Sequence, residues 1–229
     1  MQRRYPYISV ALAAIAVVLA CGKSSNASAA TSAASFATAG PDSLLLRRAD
    51  HARTLGSPTA TVWVVEVSDF QCPFCRQFHD QAYVDIKRDY VDAGKVRLAY
   101  VNFPLSMHRN SFAASESAMC AAAQDKFWQM HDALFTTQKQ WEALPSPQPV
   151  FDSLAAAQGV DAAAFHKCVS GHITKPMIEA DIDRATKAGV EVTPTFLIGG
   201  TMMTGAQPIA NFRIAIDSAL ALASNSAKH

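Results

Sequence analysis

The sequence predicts an α/β fold, a central mixed β-sheet flanked by helices, with one all-helical block inserted between its strands. Three observations predict it. Residues 61–67, Thr-Val-Trp-Val-Val-Glu-Val, are β-branched and nearly all apolar, the signature of a central strand buried on both faces. A Cys-x-x-Cys pair follows within five residues and opens a helical pattern. From Pro104 to about Ala188 nearly every periodic segment is helical, and strand character returns only at Val190.

The first residues stand apart from that fold. Arg3 and Arg4 form a positive n-region, and residues 8–20 are apolar except for Ser9, a run too short to span a bilayer. Residues 1–20 therefore read as a signal peptide. Val18-Leu19-Ala20-Cys21-Gly22 resembles a bacterial lipobox, which implies cleavage before Cys21 and acylation of that cysteine. Two or more acyl chains anchor a protein stably to a membrane. The competing reading is an ordinary secretory leader cut between Ala27 and Ala34. Residues 21–41 are the expected lipidated Cys21 and a flexible tether, nearly all Ser, Ala, Thr, Asn and Gly, with one Lys, one Phe and one Pro. The expected location is extracytoplasmic, in the periplasm or cell envelope, with lipid attachment through Cys21.

Asp42 or Ser43 can cap a short helix over residues 44–54, and Gly56-Ser57-Pro58 is a turn. After the strand at 61–67, Pro73 suits the first position of a helix, where its missing N–H is not needed. Cys75, Phe78, Ala82 and Ile86 recur at helical spacing, and Gly94 ends that helix. Residues 96–101 form a second strand. Helices are expected over 113–123, 126–136, 151–158, 162–168 and 178–187. Residues 190–197 read as a strand broken at Thr193-Pro194, Met202-Met203-Thr204 pairs back as an edge hairpin, and residues 208–223 close as an amphipathic helix. The expected division is 42–103 with 189–229 as the sheet domain and 104–188 as the helical insertion.

Cys72-Pro73-Phe74-Cys75 carries the chemistry. A thiol at a helix N-terminus is favoured as thiolate by unpaired N–H groups and the helix dipole. Cys72 is the expected nucleophile and Cys75, one turn in, the resolving thiol; together they make the redox disulfide. A lone Cys-x-x-Cys can also be half a zinc site, but neither Cys120 nor Cys168 has a partner at the spacing zinc requires. His108, His131, His166 and His172 show no metal-ligand spacing either. His79 fits the rim of the site or a solvated helix face. Neither a metal nor a bound cofactor is expected, since the thiol pair is itself the redox group. Net charge is +1, with 20 basic and 19 acidic residues and no basic cluster, which argues against nucleic acid as a partner.

Four segments resemble the DsbA-like branch of the thioredoxin superfamily: Gly56-Ser57-Pro58, residues 65–75, Lys126-Phe127-Trp128-Gln129-Met130-His131-Asp132-Ala133-Leu134-Phe135, and Gly189-Val190-Glu191-Val192-Thr193-Pro194-Thr195-Phe196. The likeness covers roughly residues 57–222. It implies a thioredoxin fold whose helical subdomain falls at 104–188. Pro194 matches the family's cis-proline, which lies against the redox pair and exposes the Thr193 backbone to an extended peptide. Pro73, Phe74 and Thr193 are then expected to touch substrate. Glu66, six residues before Cys72, matches a buried acid that moves a proton to or from Cys75; the plainer reading is a solvent-facing strand glutamate. In related proteins cysteines placed like Cys120 and Cys168 can form a structural disulfide, against the alternative of two separate buried thiols.

The resemblance implies a disulfide oxidoreductase acting on cysteine-containing exported proteins. An oxidase of this kind is recharged by a quinone-linked membrane partner. A reductase or isomerase kept reduced by a membrane electron donor is the alternative, and a peptide-binding holdase using the same groove is a third reading. The short tether does not accommodate a separate dimerisation domain, so a monomer is expected. Pro-Phe replaces the Pro-His of the strongest oxidants, and Phe74 cannot stabilise a thiolate electrostatically. A less depressed Cys72 pKa and a milder potential follow.

Overall fold

The computed structural model describes residues 41–226. The expected signal peptide, Cys21 and nearly all of the tether lie outside the described residues.

Val62–Ser68 (β2) forms the centre of the sheet, with Val64, Glu66, Val67 and Ser68 buried. It pairs in parallel with Val96–Asn102 (β3) and antiparallel with Thr195–Ile198 (β4). Thr201–Thr204 (β5) extends the sheet beside β4, and the two-residue strand Thr54–Leu55 (β1) lies outside β3. The order is β1-β3-β2-β4-β5. Parallel pairing of β2 with β3 requires a crossover. Pro73–Phe78 (α2), a π-helical turn at His79–Tyr83, Val84–Ile86 (α3) and a second π-helical turn at Lys87–Val91 supply it. Cys75, Phe78, Ala82 and Ile86, the face marked by sequence spacing, are all buried. The turn closing this crossover has Gly94 at φ +70°, as a left-handed helix end favours.

Pro41–Ala52 (α1) starts before Asp42 and Ser43, so those residues sit in its first turn. Gly56 follows at φ +101°, and a Cβ there would stand 2.4 Å from the Val96 carbonyl oxygen, so only glycine lets the chain pass β3 at this point.

The helical block consists of Ser111–Ala122 (α4), Phe127–Thr136 (α5), the single turn Gln138–Trp141 (α6), Gln148–Ala157 (α7), Ala162–Ser170 (α8) and Lys175–Lys187 (α9). Pro149 begins α7 rather than interrupting it, because proline is tolerated in a first turn. Residues 190–194 are not a strand. The chain reaches β4 only after the cis Thr193–Pro194 bond, and strand pairing starts at Thr195. Ile209–Ser226 (α10) closes the fold.

One continuous hydrophobic cluster contains Val64 and Leu98 of the sheet together with Ala118, Phe127, Leu134 and Phe165 of the helical block. Phe78, Phe196 and Phe212 tie α2, β4 and α10 together, with ring centroids 4.5–5.3 Å apart. Cys120 and Cys168 are joined by a disulfide, S–S 2.01 Å, that pins α8 to α4 over a separation of 48 residues. A loop of that size is worth about 4 kcal/mol of lost unfolded-state entropy.

Candidate active site

Ser68 ends β2, and the next four residues turn the chain into α2. Asp69 is fully buried and organises that turn. One of its carboxylate oxygens accepts from the Gln71 amide at 2.7 Å and from the Ser111 hydroxyl. The other accepts from the Leu105 amide at 2.9 Å and lies 2.7 Å from His108 Nδ1. Gln138 of α6 donates to the carbonyls of Phe70 and Cys72, at 2.8 and 3.1 Å. Asn110 donates its amide N–H to Gln71 Oε1 at 2.7 Å, and its side chain caps three carbonyls at the end of α6. The helical block thus grips the loop that carries the first cysteine.

Cys72 occupies the N-cap of α2 in extended conformation, with Pro73 in the first turn. Cys72 and Cys75 are both free thiols, 3 % and 0 % exposed. The Cys72 thiol lies 3.4 Å from the Thr193 carbonyl oxygen and donates to it. This contact sets the cis Thr193–Pro194 segment directly against Cys72. Cys72 and Thr193, 121 residues apart in the sequence, converge here because β4 runs beside β2.

The two thiols are driven apart electrostatically. A hydrogen bond from the Cys75 thiol is the largest influence on Cys72, and the Phe74 and Cys75 backbone amides add to it; together they outweigh burial and lower its pKa to about 6. Burial pushes Cys75 well above the usual thiol range. Glu66 lies on the same central strand, 0 % exposed, and neither carboxyl oxygen has a protein hydrogen-bond partner. Burial raises its pKa to about 7. The solvent-facing reading of Glu66 is therefore wrong: Val64, Glu66 and Ser68 all project into the interior.

Around Cys72 the surface opens into an apolar groove of about 530 Å³, lined by Cys72, Pro73, Phe74, the 105–108 loop and residues 191–193. Phe74, Met107 and Val192 expose 59 %, 81 % and 50 % of their surface, unusual for such side chains on one patch. Sequence reading placed Pro73, Phe74 and Thr193 here but missed Met107, His108 and Val192. Their signal is weak in one dimension, since Met107 and His108 belong to a loop tied to the redox turn by Asp69, and Val192 reaches it from a segment 120 residues beyond Cys72.

A second grouping was also missed. His79, His131 and Asp132 bring potential ligand atoms within 4.8 Å of one another. Asp132 Oδ1 lies 2.8 Å from His131 Nδ1 and 3.3 Å from His79 Nε2. Spacing did not reveal it because His79 and His131 come from different helical segments.

Comparison with known proteins places these features in a family. The thioredoxin family model matches residues 48–218. A probable disulfide bond formation protein D of Bacillus cereus is 30 % identical over 153 residues, 66 % of this chain and 71 % of that protein. The structure of oxidised BdbD from Bacillus subtilis superposes with a TM-score of 0.67 at 24 % identity, covering 73 % of this chain and 92 % of that one. A thioredoxin-like oxidoreductase from Silicibacter pomeroyi gives a TM-score of 0.60 at 26 % identity, covering 79 % of this chain and 98 % of that one.

Proposed function

The chain belongs to the thioredoxin family, as a DsbA-like thiol–disulfide oxidoreductase, and from that premise we propose that it exchanges disulfides with exported proteins through Cys72 and Cys75, outside the cytoplasm. The observation that carries the assignment of the pair is the Cys72 thiol, held at the α2 N-terminus against the Thr193 carbonyl with its pKa lowered to about 6.

The reaction runs in two displacements. With Cys72 and Cys75 oxidised, a substrate thiolate attacks Cys72 Sγ, the Cys72–Cys75 bond breaks, and Cys75 leaves as a thiolate that takes a proton. A second substrate thiolate then attacks the substrate sulfur of the mixed disulfide, and Cys72 leaves as a stabilised thiolate. Substrate is oxidised by two electrons and the pair is reduced by two. Glu66, neutral or charged near neutral pH, supplies that proton to Cys75 and recovers it when the pair is reoxidised. Phe74, Met107 and Val192 offer an apolar bed for an extended, cysteine-containing segment, alongside Pro73, Thr193 and Pro194.

The leader pattern supports export and attachment through a lipid on Cys21, and among the described residues no helix is long and apolar enough to cross a membrane. A quinone-linked membrane oxidant is the recharging partner in the oxidase reading. A Cys72 pKa near 6 lies between those of a strong oxidant, about 3.5, and thioredoxin, about 7, so a reductive or isomerising role with a membrane electron donor fits the same site.

The test is trapping. A Cys75→Ala variant incubated with a partly unfolded secretory protein whose disulfides are intact is expected to accumulate a mixed disulfide at Cys72, because the Cys72 thiolate attacks a substrate disulfide, releases one substrate thiolate and has no Cys75 to displace it. The Cys72→Ala variant should form none and should not accelerate oxidative refolding. Refolding assistance that survives alkylation of Cys72 would instead identify a holdase.

A further inference from the structure

Glu66 is fully buried, and the structure offers its carboxyl a polar route to the surface. Resting on the reading of Glu66 as the acid–base partner of Cys75, we propose that His131, Asp132 and His79 conduct that proton between the buried site and solvent.

Both Glu66 oxygens, the Ser68, Tyr83 and Tyr100 hydroxyls, Trp128 Nε1 and His131 Nε2 are buried without a protein hydrogen-bond partner. Native interiors rarely leave such groups unpaired, and a polar cluster of this kind is where bridging water belongs. These residues are neighbours. Tyr100 is the cross-strand partner of Glu66. The His131 ring lies 5.4 Å from Tyr100, 5.2 Å from Tyr83 and 5.0 Å from Trp128, centroid to centroid. Ser68 follows Glu66 by two residues on β2, buried on the same face of the strand.

His131 spans the cluster from inside to outside. Its Nδ1 donates to the Asp132 carboxylate at 2.8 Å, so the neutral ring presents unprotonated Nε2 to the interior, ready to accept. Asp132 Oδ1 also contacts His79 Nε2, and the Asp132 side chain is 50 % exposed. His79 opens the π-helical turn and stacks on Tyr83, which closes it, at 5.4 Å. Such turns recur at functional sites, and here the turn follows the redox helix directly.

The titrating and charged groups facing this path are Glu66 and Tyr100 from the sheet, Cys75, His79, Asp80 and Tyr83 from the crossover, and His131 and Asp132 from α5. Burial keeps His131 neutral at ordinary pH. Burial works against charge on His79 and Asp132 as well, but their mutual hydrogen bond, with those from Asp80 and His131, prevails; His79 is raised and Asp132 held well below the usual range.

The proton balance closes. On reoxidation Cys75 S–H gives its proton to Glu66, which passes it through water and tyrosine hydroxyls to His131 Nε2. Nδ1–H then yields a proton to the Asp132–His79 pair and solvent, leaving the other imidazole tautomer. On reduction the leaving Cys75 thiolate draws a proton inward along the same groups, which restores the starting tautomer. One catalytic cycle uses the path once in each direction.

The test resolves the two steps by rapid-quench kinetics of the reduced protein with oxidised glutathione, between about pH 5 and 9. His79→Gln and Asp132→Asn sit at the accessible end, so both should fold, as thermal unfolding would verify. Each is expected to slow resolution of the mixed disulfide by Cys75 about fivefold to tenfold, with an enlarged solvent deuterium isotope effect, while Cys72 attack stays within about twofold. Added imidazole should restore the His79→Gln rate in a concentration-dependent way, which a merely structural defect would not allow. Glu66→Gln should slow the same step by about a hundredfold. Normal resolution in the His79 and Asp132 variants with slow resolution in Glu66→Gln overturns the path alone. Normal resolution in Glu66→Gln overturns the role of Glu66, and the path with it.

Discussion

Cys72 and Cys75 lie at one helix start, yet their environments shift the two thiols in opposite directions. With its pKa near 6, Cys72 should be mostly thiolate at neutral pH, so its alkylation by iodoacetamide should titrate with a midpoint near pH 6. The hydrogen bond from Cys75 is the largest contributor, so Cys75→Ala should move that midpoint up toward an ordinary thiol. A midpoint unchanged by the substitution would mean that the helix N-terminus alone sets the thiolate. Glu66 gives a second prediction at this scale. Its folded pKa of about 7 exceeds the unfolded value of 4.5. Below 4.5 both states are protonated and nothing is lost. As pH rises from there to 7, only the unfolded state ionises, so stability falls and stays low above 7. The full loss is about 3 kcal/mol. Glu66→Gln should therefore stabilise the reduced protein against urea at about pH 8 and far less at about pH 5.

At the scale of elements, the redox loop is held by donors that converge on Asp69 from three places in the chain: Gln71, Leu105 and Ser111. Asp69→Asn would aim an N–H₂ group at these donors and lose charge-assisted bonds. A destabilisation of about 2–3 kcal/mol is expected in equilibrium unfolding, with weaker substrate trapping because the 105–108 wall of the groove loosens. The sequence displayed the central strand, the α2 start and its buried face because each follows from a local period or a local proline. It did not display α6, whose four residues are too few to show a period, nor β1, which pairs over two residues. It overextended the strand before Pro194, because Val190 to Thr193 have strand-like side chains but the cis bond turns them out of the ladder. Asp69, Gln138 and the His79–His131–Asp132 grouping were invisible for a different reason: their meaning lies in contacts across 36 to 68 residues of chain.

For the molecule as a whole, the sheet and the helical block share one hydrophobic cluster, and the Cys120–Cys168 disulfide lies within the block. Replacing both of those cysteines by alanine should cost about 4 kcal/mol of stability, read as a lower urea midpoint. It should leave the potential of the Cys72–Cys75 couple unchanged, since the bridge does not touch the redox site. A shift in that potential would show that the helical block tunes the pair as well as supporting it.

In the proposed function Cys72 and Cys75 form a reversible couple of intermediate oxidising power. Equilibrating the protein with glutathione redox buffers and quantifying free Cys72 by alkylation measures this directly. The expected potential lies between the values of about −120 mV for a strong oxidant and about −270 mV for thioredoxin. A pair that does not cycle, or whose potential falls below about −300 mV as structural disulfides do, would mean that Cys72 and Cys75 are not an exchanging couple.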